Sequence, residues 1–206
     1  MRDKKFLITG HPRSGTGFMS RLMKEYGYNV GHERMKSDGI SSWMFTVNED
    51  QVFGDRGINR KDFNFNYLIM TIRNPLDIIS STHFTENNIR NLPNRGRSFA
   101  FRKKHVDFTG LNQIEIAVKS VLDWYRYIER QRPHLILHID KNPEDKLFHF
   151  LKRHENLPLQ RPIPKITFKV NSRKHDRIDF ETIQKECSEA LVEELKNFCA
   201  LYGYEI

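Results

Sequence analysis

Short apolar runs along the chain alternate with segments whose apolar residues recur at helical spacing. Residues 6–9 and 66–72 are apolar runs of strand length, and each leads into a segment of helical period, 16–23 and 75–84. A later run, 135–139, follows the longest helical stripe of the chain. Apolar runs without polar alternation are typical of parallel strands that are covered on both faces. The pattern therefore predicts a single α/β domain, a parallel sheet flanked by helices.

The second half of the chain is predominantly helical in its pattern. The longest stripe begins after Asn112, a candidate N-cap, and two more helices are predicted over residues 140–154 and 180–202. The two cysteines, Cys187 and Cys199, fall on the last of these helices. They would lie about 18 Å apart by helical rise, which excludes a disulfide between them.

Two stretches lack any sustained period. Residues 37–66 are rich in Gly, Asp, Asn and aromatic side chains, and so many unpatterned residues in an α/β domain are expected to cover a site. Trp43 and Phe45 are either acceptor contacts in that pocket or core residues. Residues 157–165 contain three prolines and predict a connector.

Composition narrows the class of protein. A chain of 206 residues fits one domain, and its formal charge of +8 favours anionic partners such as a polyanionic cofactor or an anionic acceptor. The basic segment 86–111 is expected to be an exposed loop, which either steers such anions or is simply solvated. Neither a zinc spacing nor an RNA-binding aromatic pattern is present, so we expect no nucleic-acid partner. No apolar run has the length of a membrane span, no signal-peptide core precedes the first strand, and a cytoplasmic protein is expected.

The segment that joins the first predicted strand to the first helix carries the clearest chemistry. It contains Arg13 within a turn of small residues, Gly10 to Gly17. Backbone amides at the start of a helix favour an anion, and glycines let a phosphate approach the backbone closely. A nucleoside-triphosphate loop would need Lys and then Ser or Thr after Gly15, whereas Thr16 and Gly17 follow. The expected ligand is a phosphate without Mg²⁺, and the alternative is a Gly-rich turn that binds nothing.

A histidine and a glutamate follow the next short predicted strand. In parallel sheets the functional residues collect at the carboxyl ends of strands, so His32 and Glu33 are expected in the same crevice as the loop. Each is a candidate general base. Alternatively, Glu33 forms a structural ion pair with Arg34 or Arg13, and His32 caps a turn.

A second anion motif follows the apolar run 66–72. Arg73 ends this strand, Asn74 is a candidate N-cap, and Pro75 occupies the first helical position. Ser81 lies close to two turns further on, so Arg73 and Ser81 are expected to meet one anion. A guanidinium suits a phosphate because its paired donors form a planar fork.

The two motifs together resemble those of sulfotransferases that use 3′-phosphoadenosine 5′-phosphosulfate (PAPS). The P-R-S-G-T sequence resembles the loop for the 5′-phosphosulfate, and R-N-P-x-D followed by Ser resembles the motif for the 3′-phosphate. This resemblance implies a P-loop-like sulfotransferase fold, transfer of a sulfuryl group to an acceptor hydroxyl of a carbohydrate or small molecule, and 3′-phosphoadenosine 5′-phosphate (PAP) as product. It implies that the cofactor contacts are Arg13, Ser14, Gly15, Thr16, Gly17, Arg73 and Ser81.

The resemblance also bears on the base and on a later basic segment. A Glu in a comparable place removes the acceptor's proton in some carbohydrate sulfotransferases, which makes Glu33 the first choice and His32 the second. Arg173 and Lys174 stand where the family places a loop over the cofactor, although the Gly-rich form of that loop is absent. Two other functions stay open: a non-catalytic PAP-binding domain, and a nucleotide-dependent kinase, which lacks its loop lysine here.

Overall fold

The computed structural model describes residues 1–87, 95–155 and 175–206. Within them the strands are β1 (Arg2–Thr9), β2 (Val30–His32), β3 (Gly39–Ser41), β4 (Phe63–Ile72) and β5 (Leu135–His138). The α-helices are α1 (Thr16–Glu25), α2 (Pro75–Ser81), α3 (Arg95–Lys103), α4 (Gln113–Glu129), α5 (Pro143–Glu155), α6 (Phe180–Glu186) and α7 (Glu189–Leu201). Single turns of 3-10 helix occupy Met44–Thr46 and Arg60–Asp62, and a π-helical turn occupies Thr82–Glu86. None of the helices in these ranges is both long and apolar enough to cross a membrane.

The described residues divide into two compact units, and each unit is built from separated stretches of chain. The first unit contains residues 1–10, 14–73 and 131–155. The second contains residues 11–13, 74–87, 95–130 and 175–206.

The first unit is built on a parallel five-stranded sheet in the order β2-β3-β1-β4-β5. Successive side chains of β1 point to opposite faces, as in any strand. Phe6 and Ile8 pack in a core with residues of α1 and α5, such as Leu22 and Leu147, whereas Leu7 packs in a separate core. The prediction of an α/β fold with a parallel sheet is confirmed.

The unpatterned stretch 37–66 contributes β3 and both 3-10 turns to this unit. Phe45 is fully buried in the core that contains Leu7, and Trp43 is 7% exposed. The structure therefore places Phe45 in the core rather than against a ligand.

The second unit is helical, and its helix starts follow the predicted caps. The side chain of Asn74 accepts from the Leu76 amide at 2.9 Å, with Pro75 in the first turn. Asn112 accepts from the amides of Ile114 and Glu115 at the start of α4. Both N-caps are confirmed.

The prediction of one continuous helix over residues 180–202 is wrong. Helix α6 ends at Glu186, Cys187 has extended backbone angles, and Ser188 is the N-cap residue of α7. The break is stabilised by residues at the start of α4. The backbone amide of Ser188 donates to Glu115 Oε1 at 3.1 Å, and the side-chain nitrogen of Asn112, Nδ2, donates to the Glu186 carbonyl. The 18 Å separation of the cysteines, which assumed a continuous helix, no longer applies. Both cysteines are free, with Cys187 half-buried and Cys199 buried.

The expectation of an exposed loop over residues 86–111 is wrong for residues 95–103, whereas residues 104–111 contain no helix or strand. Residues 95–103 form α3, and Arg102 on this helix is fully buried. Residues 88–94 lie outside the described ranges.

The cap of α4 gives a stability test. Asn112→Ala removes the acceptor for two amides, and loss of such a cap costs about 1–2 kcal/mol of unfolding free energy. Asn112→Ser keeps a cap acceptor and loses only the bond to Glu186, so we expect it to retain most of the stability, as measured by urea denaturation. Equal losses in the two variants would assign the effect to the Glu186 contact instead of the cap.

Candidate functional site

The loop between β1 and α1 is tightly built in the first unit. A Cβ at Gly10 would overlap Ser14 Oγ and Thr71, and a Cβ at Gly15 would lie 2.9 Å from Ile139. Ser14 Oγ and Thr71 Oγ1 are hydrogen-bonded at 3.0 Å. Gly15 is the N-cap residue of α1 and has no side chain to accept from the first-turn amides. These amides are therefore the donors that the loop can offer to an anion.

Two of the residues predicted to be functional have strained backbones. Among the described residues, four non-glycine residues have positive φ, and Arg13 (+77°) and Glu33 (+54°) are two of them. Such conformations cost on the order of 1–3 kcal/mol each and persist where the surroundings impose them, often at ligand sites. The strain supports a functional interpretation of both positions.

Arg13 belongs to the second unit, where it contacts the end of α2. Its Nε donates to Ser81 Oγ at 3.0 Å, and the same nitrogen lies 4.0 Å from Glu86 Oε1 in the π-helical turn. The side chains of Arg13 and Glu86 are 13% and 12% exposed. The guanidinium predicted for one phosphate and the hydroxyl predicted for the other are therefore in direct contact.

The other arginine of the pattern, Arg73, belongs to the first unit. It directly follows β4, which pairs in parallel with β1 in a register that places Met70 opposite Thr9. The carboxyl ends of these neighbouring strands lie at the same edge of the sheet. Ser14, from the loop after β1, contacts Thr71 near the end of β4. Within this unit the two motifs predicted to bind phosphate therefore begin side by side.

His32 and Glu33 lie beside the start of α1, also in the first unit. His32 Nε2 is 3.5 Å from Thr16 Oγ1 and 3.8 Å from Glu33 Oε1. Ser41, opposite His32 in the sheet, donates its hydroxyl to the Thr16 carbonyl at 2.7 Å. These distances place His32 beside the loop residue Thr16, and Glu33 beside His32.

The carboxyl group of Glu33 is held inside the protein. Glu33 Oε2 accepts from Ser42 Oγ, and the side-chain amide of Gln51 lies 3.3 Å from the same oxygen when its nitrogen is turned towards the carboxyl group. Glu33 Oε1 is buried and has no hydrogen-bond partner among the described residues. Burial raises the pKa of Glu33 to about 8, while hydrogen bonds from Ser42 and the Trp43 backbone act in the opposite direction. The carboxyl group of Glu33 therefore titrates near neutral pH.

The imidazole of His32 lies in a more exposed environment than the carboxyl group of Glu33. Its side chain is 36% exposed, compared with 11% for Glu33. Partial desolvation and the charge of Arg21 lower the pKa of His32, so the ring is predominantly neutral at pH 7. His32 is the more accessible of the two candidate bases.

The structure groups the predicted residues by unit. Ser14, Gly15, Thr16, Gly17, His32, Glu33 and Arg73 lie in the first unit, and Arg13 and Ser81 lie in the second. Arg173 and Lys174 lie outside the described residues. Sequence reasoning missed Ser42 and Gln51 as partners of Glu33, and Glu86 as a partner of Arg13. Ser42 follows β3, and recognition of that short strand would have indicated it.

The buried carboxyl group predicts an unusual pH dependence of stability. With a folded pKa of about 8 against an ordinary value of 4.5, Glu33 retains its proton in the folded state but loses it on unfolding. Between these two values the group lowers the unfolding free energy by about 1.4 kcal/mol for each unit that pH rises. Glu33→Gln has no titrating group at this position. The unfolding free energy of the wild type, measured by urea denaturation, should therefore fall relative to that of Glu33→Gln from pH 5 to pH 8. Parallel curves would mean that the native carboxyl group titrates normally.

Comparison of the chain with known protein families, with curated proteins and with solved structures gave no match.

Proposed function

We propose that this protein is a PAPS-dependent sulfotransferase that transfers a sulfuryl group to an acceptor hydroxyl of a carbohydrate or small molecule. We also propose that the chain has the P-loop-like fold of that family. This is a more specific assignment than the parallel α/β sheet that the structure has.

The hydrogen bond between Arg13 Nε and Ser81 Oγ carries the proposal. The resemblance to sulfotransferases assigns Arg13 to the 5′-phosphosulfate and Ser81 to the 3′-phosphate, and these two residues are 68 positions apart in the chain. Contact between the two side chains is expected if they serve one ligand with two phosphates. The adjacent parallel strands β1 and β4 give independent support from the first unit.

The donor set of the described residues fits PAPS. Gly10 and Gly15 leave no side chain over the loop, and Ser14 has its hydroxyl engaged by Thr71, so its backbone amide is what it offers. Guanidinium groups and hydroxyls bind phosphate without a metal ion. We assign Arg13 and the amides of residues 14–17 to the 5′-phosphosulfate, and Arg73 and Ser81 to the 3′-phosphate.

When bound, PAPS would supply the sulfuryl group to the acceptor oxygen, and PAP would leave with its 5′-phosphate as the leaving group. Arg13 and the loop amides stabilise the negative charge that develops on that phosphate, and this electrostatic term is commonly the largest in such a reaction. Arg73 and Ser81 contribute by orienting the nucleotide rather than by touching the reacting atoms.

The proton of the acceptor hydroxyl needs a base, and Glu33 is the first candidate. A carboxylate with a pKa of about 8 is a much stronger base than an ordinary one, although at pH 7 only a minor fraction is ionised. His32, which is neutral and more exposed, is the alternative. The two assignments differ in their pH profiles, because Glu33 would gain activity as pH rises through about 8, whereas His32, with its lowered pKa, is already predominantly neutral at pH 7.

Nucleotide binding tests the proposal directly. We expect PAP to bind in excess EDTA by calorimetry, and we expect Arg73→Ala to weaken PAP by about tenfold or more, since the lost charge-assisted bonds belong to the 3′-phosphate. Adenosine 5′-phosphosulfate, which lacks that phosphate, is the matched ligand and should bind the variant nearly as well as the wild type. Binding of Mg-ATP but not PAP would reject the sulfotransferase proposal, and equal losses for both nucleotides would make Arg73 structural.

Measurements of turnover and of PAP affinity together show whether Glu33 acts in catalysis or in binding. With labelled PAPS and an acceptor panel, Glu33→Gln should lower the rate by about 10² to 10⁴ and leave PAP affinity nearly unchanged. His32→Asn is the control and should remain active, with kcat/KM rising through about pH 8 as in the wild type. Loss of turnover in His32→Asn alone would transfer the role to the histidine. PAP binding with no turnover on any acceptor would favour a non-catalytic nucleotide-binding domain.

A further inference from the structure

The two oxygens of the Glu33 carboxyl group have different surroundings. Oε2 accepts from Ser42 Oγ, whereas Oε1 is buried and has no hydrogen-bond partner among the described residues. His32 Nε2 lies 3.8 Å from Oε1, and the same nitrogen lies 3.5 Å from Thr16 Oγ1 at the start of α1. Oε1 is therefore the oxygen on the side of His32 and of the loop after β1.

Ser42 is itself fixed by the backbone around it. It is fully buried, and its amide donates to the Ile8 carbonyl of β1 at 2.9 Å. The Met44 amide donates to Ser42 Oγ at 3.2 Å. Because an amide N–H can only donate, the hydroxyl proton of Ser42 is directed to Oε2 of Glu33. The direction of the hydrogen bond between Ser42 and Glu33 thus follows from the backbone.

A second donor reaches Oε2 from the loop of residues 51–58. With its nitrogen turned towards the carboxyl group, the side-chain amide of Gln51 lies 3.3 Å from Glu33 Oε2 and 3.2 Å from the Phe53 carbonyl. Gln51 is buried, and its backbone amide donates to the Ile58 carbonyl at 3.0 Å, which fixes it to the other end of the loop. Both side-chain donors therefore bind the same carboxyl oxygen.

These donors decide which oxygen carries the proton when Glu33 is protonated. A proton on Oε2 would have to be donated to Ser42 Oγ, and the Ser42 hydroxyl would then lose its acceptor. A buried polar group that loses its partner is costly. A proton on Oε1 instead leaves the donors at Oε2 in place. The geometry therefore favours protonation at Oε1.

The titratable and charged groups nearby leave this arrangement intact. Asp55 contacts Glu33 through the backbone, where its amide donates to the Glu33 carbonyl at 3.0 Å. Burial lowers the pKa of His32, and the charge of Arg21 acts in the same direction, so the imidazole is predominantly neutral at pH 7. Burial raises the pKa of Glu33 to about 8, and the hydrogen bond from Ser42 opposes this rise. Ser42 thus stabilises the carboxylate form of Glu33.

We propose that Ser42 is a positioning residue for Glu33, because its hydroxyl group occupies Oε2 and leaves Oε1 as the oxygen that takes up and releases the proton. Gln51 assists by binding the same oxygen as Ser42. That the proton comes from the acceptor hydroxyl rests on the proposed function. In that step the acceptor O–H bond breaks, an O–H bond forms at Oε1, and the electron pair stays on the acceptor oxygen.

Infrared spectroscopy at about pH 6, where Glu33 is protonated, locates the proton without any ligand. The C=O stretch of this group is the band that Glu33→Gln removes. With the proton on Oε1 the C=O oxygen is Oε2, so Ser42→Ala should move the band to higher frequency. Ser41→Ala is the matched control, because Ser41 is also fully buried but its hydroxyl donates to the Thr16 carbonyl at 2.7 Å. It should leave the band in place.

Carbon-13 NMR of labelled glutamate carboxyl groups measures the pKa of Glu33 itself. Ser42→Ala removes a hydrogen bond to the charged form, so this pKa should rise by about one unit, whereas Ser41→Ala should change it by less than about 0.3. Gln51→Leu removes the other donor and should shift the band and the pKa in the same directions, which keeps the test decisive if Ser42→Ala does not fold. A C=O band that stays in place in Ser42→Ala, or a pKa that rises no more than in Ser41→Ala, overturns the proposal.

The two proposals fail in different ways. If the band and the pKa follow the expected pattern but PAP and PAPS do not bind, the role of Ser42 stands and the sulfotransferase proposal falls. If PAPS is turned over while Ser42→Ala matches Ser41→Ala in the band, in the pKa and in the pH at which kcat/KM rises, the role of Ser42 falls alone.

Discussion

The parallel pairing of β1 with β4 is the constraint on which the first unit depends. The pairing runs from Arg2 opposite Phe63 to Thr9 opposite Met70, so both strands end at the same level of one sheet edge. The chain that leaves β1 carries the glycine-rich loop, and the chain that leaves β4 carries Arg73. A slip of one residue would reverse the faces of Phe6, Leu7 and Ile8, so burial on both sides of β1 fixes the register.

Much of the fold could be predicted because its strongest elements have local signals. Continuous apolar runs indicated β1 and β4, and Asn74 and Asn112 indicated the helix starts that the structure has. The break at Cys187 carries no such signal, because it is stabilised by Glu115 and Asn112, more than seventy residues away in the sequence. The burial of Arg102 likewise depends on tertiary partners, which a count of basic residues cannot reveal.

The candidate site could be predicted from the sequence to a similar extent as the fold. Placing His32 at a strand end anticipated its closeness to Thr16, because strand ends in a parallel sheet converge. The pKa of Glu33 could not be anticipated. It depends on how completely the carboxyl group is enclosed and on hydrogen bonds from Ser42 and the Trp43 backbone, which lie in the stretch without periodic pattern. The ion pair between Arg13 and Glu86 could not be predicted for the same reason, since α2 and the π-helical turn bring the two side chains together.

The polar pair at the start of α4 has a consequence for how the second unit opens. Asn112 and Glu115 cap α4, and the same two side chains hold the carbonyl that ends α6 and the amide that precedes α7. One helix start, one helix end and another helix start thus share a single set of hydrogen bonds. Fraying at any of these three points removes partners from the other two. The amide hydrogens there should therefore exchange with solvent as one cooperative group instead of as three independent helix ends.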